Sequence, residues 1–343
     1  MTKLLPVISE GPNNSTIPQI HNSSLLECVP NFSEGRDRNI VDKIEQSIRA
    51  VPGVKVLHTD MGYDAHRTVI TYAGLPAACV EAAFQSIRSA SGLIDMKKHH
   101  GVHPRLGAVD VFPFVPLDIQ SMPVAIECAR QLGTRVGNEL NLPVYLYGEA
   151  AFQPGRRWLA DIRKGEYEGL SKKMIQPEWK PDFGPIVFNE KYGASIIGAR
   201  KILVAFNINL KTKSVVTAQK IASRLREKNG GLKAVRAIGW WMPAFNCTQV
   251  SCNLVDLDET PLHIAFSVCT ALALEFGTEV TGSELVGMIP MQALIQTTDF
   301  YYPKAHWHEE DKIKYAIGYL GLNSVKPFNP EQQIIEWALF KKD

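Results

Sequence analysis

No apolar run in the 343 residues reaches the ~18 that a membrane-spanning helix needs, so a helical membrane protein is not expected. The first twenty residues, MTKLLPVISEGPNNSTIPQI, hold one lysine and a short apolar patch broken at Pro6, too little for a secretory core segment. Met1 to Ser24 read as a polar, mobile extension. Cysteine is sparse and scattered (Cys28, Cys79, Cys128, Cys247, Cys252, Cys269), with no CxxC pair; this is the usage of reduced core residues in a cytoplasmic protein, not of a disulfide framework or a zinc site. An excess of one charge is lacking too. Lys plus Arg number 37 against 35 Asp plus Glu, a net +2, and no basic block is long enough to neutralise many phosphates. Neither nucleic acid nor a membrane surface is therefore expected as a partner. The nucleotide loops GxGxxG and GxxxxGK are absent, which argues against NAD and ATP. GxSxG and HExxH are absent as well, which removes support for a serine hydrolase and for a zinc protease.

What is present is an ordinary globular composition, 45% hydrophobic and 21% charged, in a chain longer than a single core usually sustains. Two lobes are expected. LLECVP reads as a buried strand. Asp37 to Ala50 is a helix with Ile40, Val41, Ile44 and Ile48 at helical spacing, stopped by Pro52-Gly53. Strands VKVLHT and RTVITYA follow, joined by a polar loop from Asp60 to His66. A helix from Ala77 to about Ile94 leads through the loop Asp95 to Gly107 to the strand AVDVFPFVP, an order of βαββαβ. A further helix, with Ser121 as N-cap and Pro123 in its first turn, precedes the strand PVYLY. Downstream, KILVAFNINL, a helix from Ser214 to Lys228, strands KAVRAIGWWM and TQVSCNLVDL, a helix from about Pro261 to Phe276 and the strand EVTGSELVGM repeat that order. The expected fold is α+β, an α/β sandwich of two ferredoxin-like βαββαβ subdomains whose sheets face a substrate groove. Residues 25–199 form the first subdomain and 200–343 the second. EWKPDFGPIVFNEKYGASIIGARK, rich in Pro and Gly, reads as hinge and cleft liner.

The densest cluster of ionisable residues is DMKKHHGVHPRLGAVD, spanning Asp95, Lys97, Lys98, His99, His100, His103, Arg105 and Asp110. Three histidines admit a metal reading, but adjacent His99 and His100 tend to point apart and the surrounding cations repel a metal ion. A solvated basic loop is the plain alternative. The functional reading is an acid-base histidine among cations that hold an anionic substrate. His103 lies between Gly101 and Pro104, two residues before the planar fork of Arg105. Glu34, Asp60 and Arg67 stand near strand ends, where loop capping or an internal ion pair is the competing role.

The strings ECVPNFSEGRD, LIDMKKHHGVHPRLGAVDVFPFVP, PVYLYGEA, EWKPDFGP, GARKILVAFNINL and GSELVGMIP, in that order from about Leu25 to Trp337, resemble the formiminotransferase family. The resemblance implies two α/β subdomains around a groove, and transfer of the formimino group from N-formimino-L-glutamate to N5 of tetrahydrofolate in histidine breakdown. The family's GEHPR motif is GVHPR here, which carries the catalytic role to His103. The acidic residue ending the second strand maps to Asp60. The folate-binding segment maps to Gly184, Pro185, Ile186, Val187, Phe188, Asn189, Glu190, Lys191, Tyr192 and Gly193. Arg105, Arg67 and Lys97, with Lys98, Arg200 or Lys201, would hold substrate carboxylates; no metal is implied, and His99 and His100 serve as insensitive controls for His103. Val102 replaces the usual Glu, and His66 stands where Asn is frequent. The resemblance suggests a homodimer. The cyclodeaminase half found in bifunctional members is not in the sequence, so a separate formimidoyltetrahydrofolate cyclodeaminase is the expected recipient of product. Formyl transfer between 5-formyltetrahydrofolate and glutamate, and folate binding without catalysis, remain alternatives.

Overall fold

A computed structural model describes residues 25–340 except Asp64, Val102, Asp118, Pro243, Ala244 and Ala305. The expectations for Met1 to Ser24 and for Val102 fall outside the described residues. The first strand is broken in two, β1 (Leu26–Cys28) and β2 (Asn31–Phe32), at Val29-Pro30, where proline has no N–H to give a ladder. Next come α1 (Arg38–Arg49), β3 (Val54–Gly62), β4 (Arg67–Gly74), α2 (Pro76–Leu93) and β5 (Val109–Pro116). Asp37 caps α1 by accepting the Asn39 N–H at 2.9 Å, and Val41, Ile44 and Ile48 are buried. Then follow α3 (Met122–Glu139), β6 (Val144–Gly148), α4 (Leu159–Arg163), α5 (Glu166–Lys173) and β7 (Ser195–Ala199). Ser121 does precede α3, but its hydroxyl makes no capping bond.

The seven strands order as β3-β4-β1/β2-β5-β7-β6, antiparallel up to β5, with β7 parallel to both β5 and β6. The stretch read as hinge and cleft liner thus contains an interior strand. All five residues of β7 are buried, as parallel strands covered on both faces are, so they carry no alternation to betray them.

The second half comprises β8 (Val204–Leu210), α6 (Val215–Leu225), β9 (Val235–Met242), β10 (Cys247–Leu254), α7 (Leu262–Glu275) and β11 (Val280–Val286). Four helices the sequence reading did not place follow: α8 (Met291–Tyr301), α9 (Glu309–Leu320), α10 (Pro330–Gln333) and α11 (Ile335–Phe340). The four strands order as β11-β8-β10-β9, all antiparallel. Each half is α+β with its own apolar core, one including Ile44, Tyr72, Phe84 and Phe112, the other Phe206, Ile221, Cys252 and Ile313. A smaller core packs Ile162, Leu170 and Met174 of α4, α5 and their C-terminal flank over Val111, Tyr145 and Ile196 of the first sheet. α11 returns to lie against β3, so the end of the second half touches the first sheet.

Candidate active site

The centre of the site is an irregularity in the first sheet. Asn31 pairs with Val111 but Phe32 pairs with Val109, which leaves Asp110 as the extra residue of a bulge. Bulges re-aim side chains, and this one brings a carboxylate that is 1% exposed between two guanidinium groups. Asp110 Oδ1 accepts from the Leu106 N–H at 3.0 Å and from Arg163 Nε at 3.2 Å. Its Oδ2 accepts from Arg163 Nη2 and, at 3.4 Å, from Arg67 Nη1. Arg67 Nε also donates to Asn31 Oδ1 at 2.8 Å. Burial draws Arg67 down to about 10, against the opposing pull of Asp110, so it remains charged at neutral pH.

His103 rests against this guanidinium. Arg67 Nη1 lies 2.6 Å from Nδ1 and 2.9 Å from Nε2, while Nδ1 is also 2.7 Å from the Pro104 carbonyl oxygen. The Pro104 carbonyl can only accept and calls for a proton on Nδ1, whereas the Arg67 guanidinium can only donate and lies nearer Nδ1 than Nε2, so these contacts alone do not fix the tautomer. Burial first, and then the Arg67 charge, push the imidazole down from its ordinary 6.5 to about 4. The ring is neutral across the physiological range.

Asp60 does not begin the loop. β3 continues past it to Gly62, and Asp60 pairs with Val69, exposed and on the same sheet face as Arg67 two residues along β4. Lys97 is exposed on a short helical turn, Met96–Lys98, capped by Asp95, which accepts the Lys97 N–H at 3.1 Å. Arg105 is placed otherwise than expected. Its guanidinium is largely buried and turned to Glu166 at 3.0 Å, to Glu168 at 2.8 Å and to His99 Nδ1 at 3.1 Å, and with His100, Gly101 and these glutamates it lines an open cavity of about 410 Å³. Glu34 is a turn-former: its Oε1 accepts the N–H groups of Arg36 at 2.8 Å and Asp37 at 3.0 Å.

The segment Gly184 to Gly193 docks on the histidine loop. Met96 N–H donates to Lys191 O at 2.9 Å and Ala108 N–H to Tyr192 O at 2.8 Å. Its ends are held by glycines at positive φ: a Cβ on Gly184 (φ +79°) would stand 2.1 Å from Leu142 O, and one on Gly193 (φ +77°) 2.3 Å from Leu106 O. Tyr167 tilts on Phe188 with ring centres 5.4 Å apart. Among the described residues no three His, Cys, Asp or Glu side chains converge as metal ligands, and His99 and His103 are engaged with carbonyls and guanidinium groups.

A cavity of about 770 Å³ opens between the two halves, lined by Arg157, Trp158, Arg200 and Lys201 from one side and Lys233 and Arg236 from the other. Lys201 is paired with Asp256 at 2.6 Å and Arg157 with Glu149 at 2.6 Å. Among the described residues Arg200 and Arg236 have no carboxylate in ion-pair contact, and Arg236 lies over the Trp158 ring at 5.4 Å. Arg163 was missed in the sequence, where nothing local marks it; Asn31 and Asp110 were visible only as members of longer strings.

The chain belongs to the formiminotransferase family. Residues 25–200 match the formiminotransferase domain, N-terminal subdomain, and residues 205–340 match the formiminotransferase domain. It is 47% identical over 327 residues to the formimidoyltransferase-cyclodeaminase of Rattus norvegicus, covering 92% of this chain and 60% of that one. It is 46% identical over 280 residues to the glutamate formimidoyltransferase of Thermoplasma acidophilum, covering 81% of this chain and 92% of that one. Against the glutamate formimidoyltransferase of Streptococcus pyogenes serotype M1 the identity is 38% over 279 residues, covering 81% and 93%. The chain thus spans 60% of the length of the bifunctional relatives.

Proposed function

We propose that the protein is a glutamate formimidoyltransferase, which moves the formimino group of N-formimino-L-glutamate to N5 of tetrahydrofolate and releases L-glutamate in histidine degradation. The observation that carries this reading is the neutral His103 imidazole, held between the Arg67 guanidinium and the Pro104 carbonyl and pushed down to about 4 by burial and by Arg67. N5 attacks the amidine carbon and forms the new C–N bond. Nε2 takes the proton that N5 loses, and the Arg67 hydrogen bond to Nε2 gives way as it does so. The imidazolium then returns that proton to the glutamate nitrogen as the old C–N bond breaks. Asp60, exposed on the same sheet face as Arg67, offsets positive charge on the amidinium or imidazolium.

Both substrates carry carboxylates. Arg200 and Arg236 in the interdomain cavity suit them better than Arg105, whose donors are directed at protein carboxylates. The docking of residues 184–193 on the histidine loop supports that segment as the folate contact. The boundary between subdomains falls near Arg200. The reading extends to a cytoplasmic homodimer whose product is the substrate of a formimidoyltetrahydrofolate cyclodeaminase.

Incubation with formiminoglutamate and tetrahydrofolate followed by acid should give the methenyl chromophore; its absence, with folate still bound, would favour the non-catalytic alternative. A chromophore formed from tetrahydrofolate with N-formylglutamate but not with formiminoglutamate would favour formyl transfer. His103→Ala should lose about two to four orders of magnitude in kcat with folate affinity nearly unchanged. Retention of more than about a tenth of turnover refutes the acid-base role.

A further inference from the structure

The loop that carries His103 is pinned by a chain of contacts the proposed chemistry does not use. His66, at φ +48°, and His99 stack with ring centres 4.3 Å apart and planes 7° from parallel. His66 Nδ1 donates to His100 O at 3.1 Å, and its Nε2 faces Glu34 Oε1 at 3.3 Å. His99, 4% exposed, has Nε2 2.8 Å from His66 O, and its Nδ1 accepts from Arg105 Nε at 3.1 Å. Arg105 continues to Glu166 and Glu168 on α5. Tyr167, between those two glutamates, donates its N–H to Arg105 O at 2.9 Å and its hydroxyl to Glu190 O. His99 thereby ties the β4 turn, through the His66 carbonyl, to Arg105 and so to α5, while Tyr167 and the Met96 and Ala108 N–H groups carry the loop's contacts to the segment 184–193.

That imidazole has a single compatible protonation state. The His66 carbonyl can only accept and Arg105 Nε–H can only donate, so His99 carries its proton on Nε2 alone. A second proton on Nδ1 would oppose two donors 3.1 Å apart and break the link to Arg105. The titratable and charged groups around the ring are His66 and Glu34 on one side and Arg105, Glu166 and Glu168 on the other. Burial holds His99 below the ordinary imidazole range, which favours the neutral ring.

We propose that neutral His99 is the positioning residue of this site: it fixes the His103 loop between the β4 turn and, through Arg105, α5, and its protonation releases that loop. The proposal rests on the transferase reading given above. It replaces the expectation that His99 is an insensitive control; only His100, whose side chain is exposed, retains that role.

The test compares His99→Leu, which removes donor and acceptor, with His99→Gln, which keeps both and does not titrate. His99→Leu should lose about tenfold to a hundredfold in kcat, the scale of a misplacement near 1 Å, while folate affinity from Trp quenching changes little. His99→Gln should recover most of that loss and extend activity to lower pH, and His100→Ala should behave as wild type. Equal losses in the Leu and Gln variants, or an acid limb unmoved by His99→Gln, would overturn the proposal. Nitrogen-detected NMR of the wild-type imidazoles reads the tautomer without turnover and does not depend on any variant folding. His99 found with its proton on Nδ1 overturns the proposal; a wild-type protein that keeps the Nε2–H form but makes no product overturns the transferase reading alone.

Discussion

Replacing Arg67 by Gln should make His103 a stronger base. Arg67 Nη1 lies 2.9 Å from Nε2, and the guanidinium is the second cause, after burial, of the fall of this imidazole from 6.5 to about 4. With roughly 4 Å between charge centres, the repulsion is about 4 kcal/mol at an effective dielectric of about 20 and about 1 kcal/mol in water. At about 1.4 kcal/mol per pKa unit, that is about one to three units. His103 is only partly buried, so the lower half of the range applies, and the variant should titrate near about 5 to 6. It should stay below 6.5, because burial, the larger cause, is untouched. Carbon-detected NMR of labelled histidine across this range measures the shift directly, and the acid limb of kcat/KM should be compared with it. An imidazole that still titrates near 4, or lower, refutes the placement of Arg67 against Nε2.

The same shift has a consequence for stability whose sign is fixed. The folded His103 binds its proton less readily than the unfolded chain, so the unfolded state holds more protons between about 6.5 and about 4. The contribution to folding is present above about 6.5, is lost as pH falls through that window and levels off below it. The full difference of about 2.5 units would be about 3.4 kcal/mol; discounted for exposure it is about 1 to 2 kcal/mol. In the Arg67→Gln protein the window should narrow from its acid end.

Asp110→Asn leaves Arg67 and Arg163 facing each other without their shared carboxylate. Breaking a buried pair in this way costs about 3 to 5 kcal/mol, so calorimetry should show a fall in Tm of about 10 °C, and a change under about 2 °C would show that the carboxylate is dispensable. Gly184→Ala should cost about 1 to 3 kcal/mol by urea unfolding, because strain at positive φ is added to a Cβ 2.1 Å from a carbonyl oxygen. Gly230→Ala, at φ +83° with nothing within 4 Å, should cost only the strain of about 1 to 2 kcal/mol and less than Gly184→Ala; equal losses at the two positions would remove the argument from close approach.

Elements whose cause is local were legible before any coordinates. The inward face of α1 is written in Val41, Ile44 and Ile48, and its start in Asp37, because capping and helical periodicity act within a few residues. β7 was not legible, since a strand buried on both faces shows neither period nor turn signal. Within the site, His103 was reached through GVHPR, but Arg163 meets Asp110 across 53 positions and no spacing rule anticipates that pair.

Arg105 shows how nearness in sequence misleads. Two residues from His103, it was expected to face the same substrate. The loop instead sends the His103 ring to Arg67 and the Arg105 fork to α5, so neighbours in the motif serve opposite sides of it. His66 makes the complementary case. In the sequence it stood out only as a departure from a frequent Asn; its ring stacks on His99 and lies 3.3 Å from Glu34, which ties it to loop geometry. An Asn has no ring to stack, so the departure at His66 and the dependence on His99 belong to one arrangement. Changing His66 to Asn should therefore affect the Leu and Gln variants of His99 unequally, because only the Gln variant still has a bond to Arg105 to lose. A cycle over these positions should show coupling of about 0.5 to 3 kcal/mol in kcat, and strict additivity would separate the two residues.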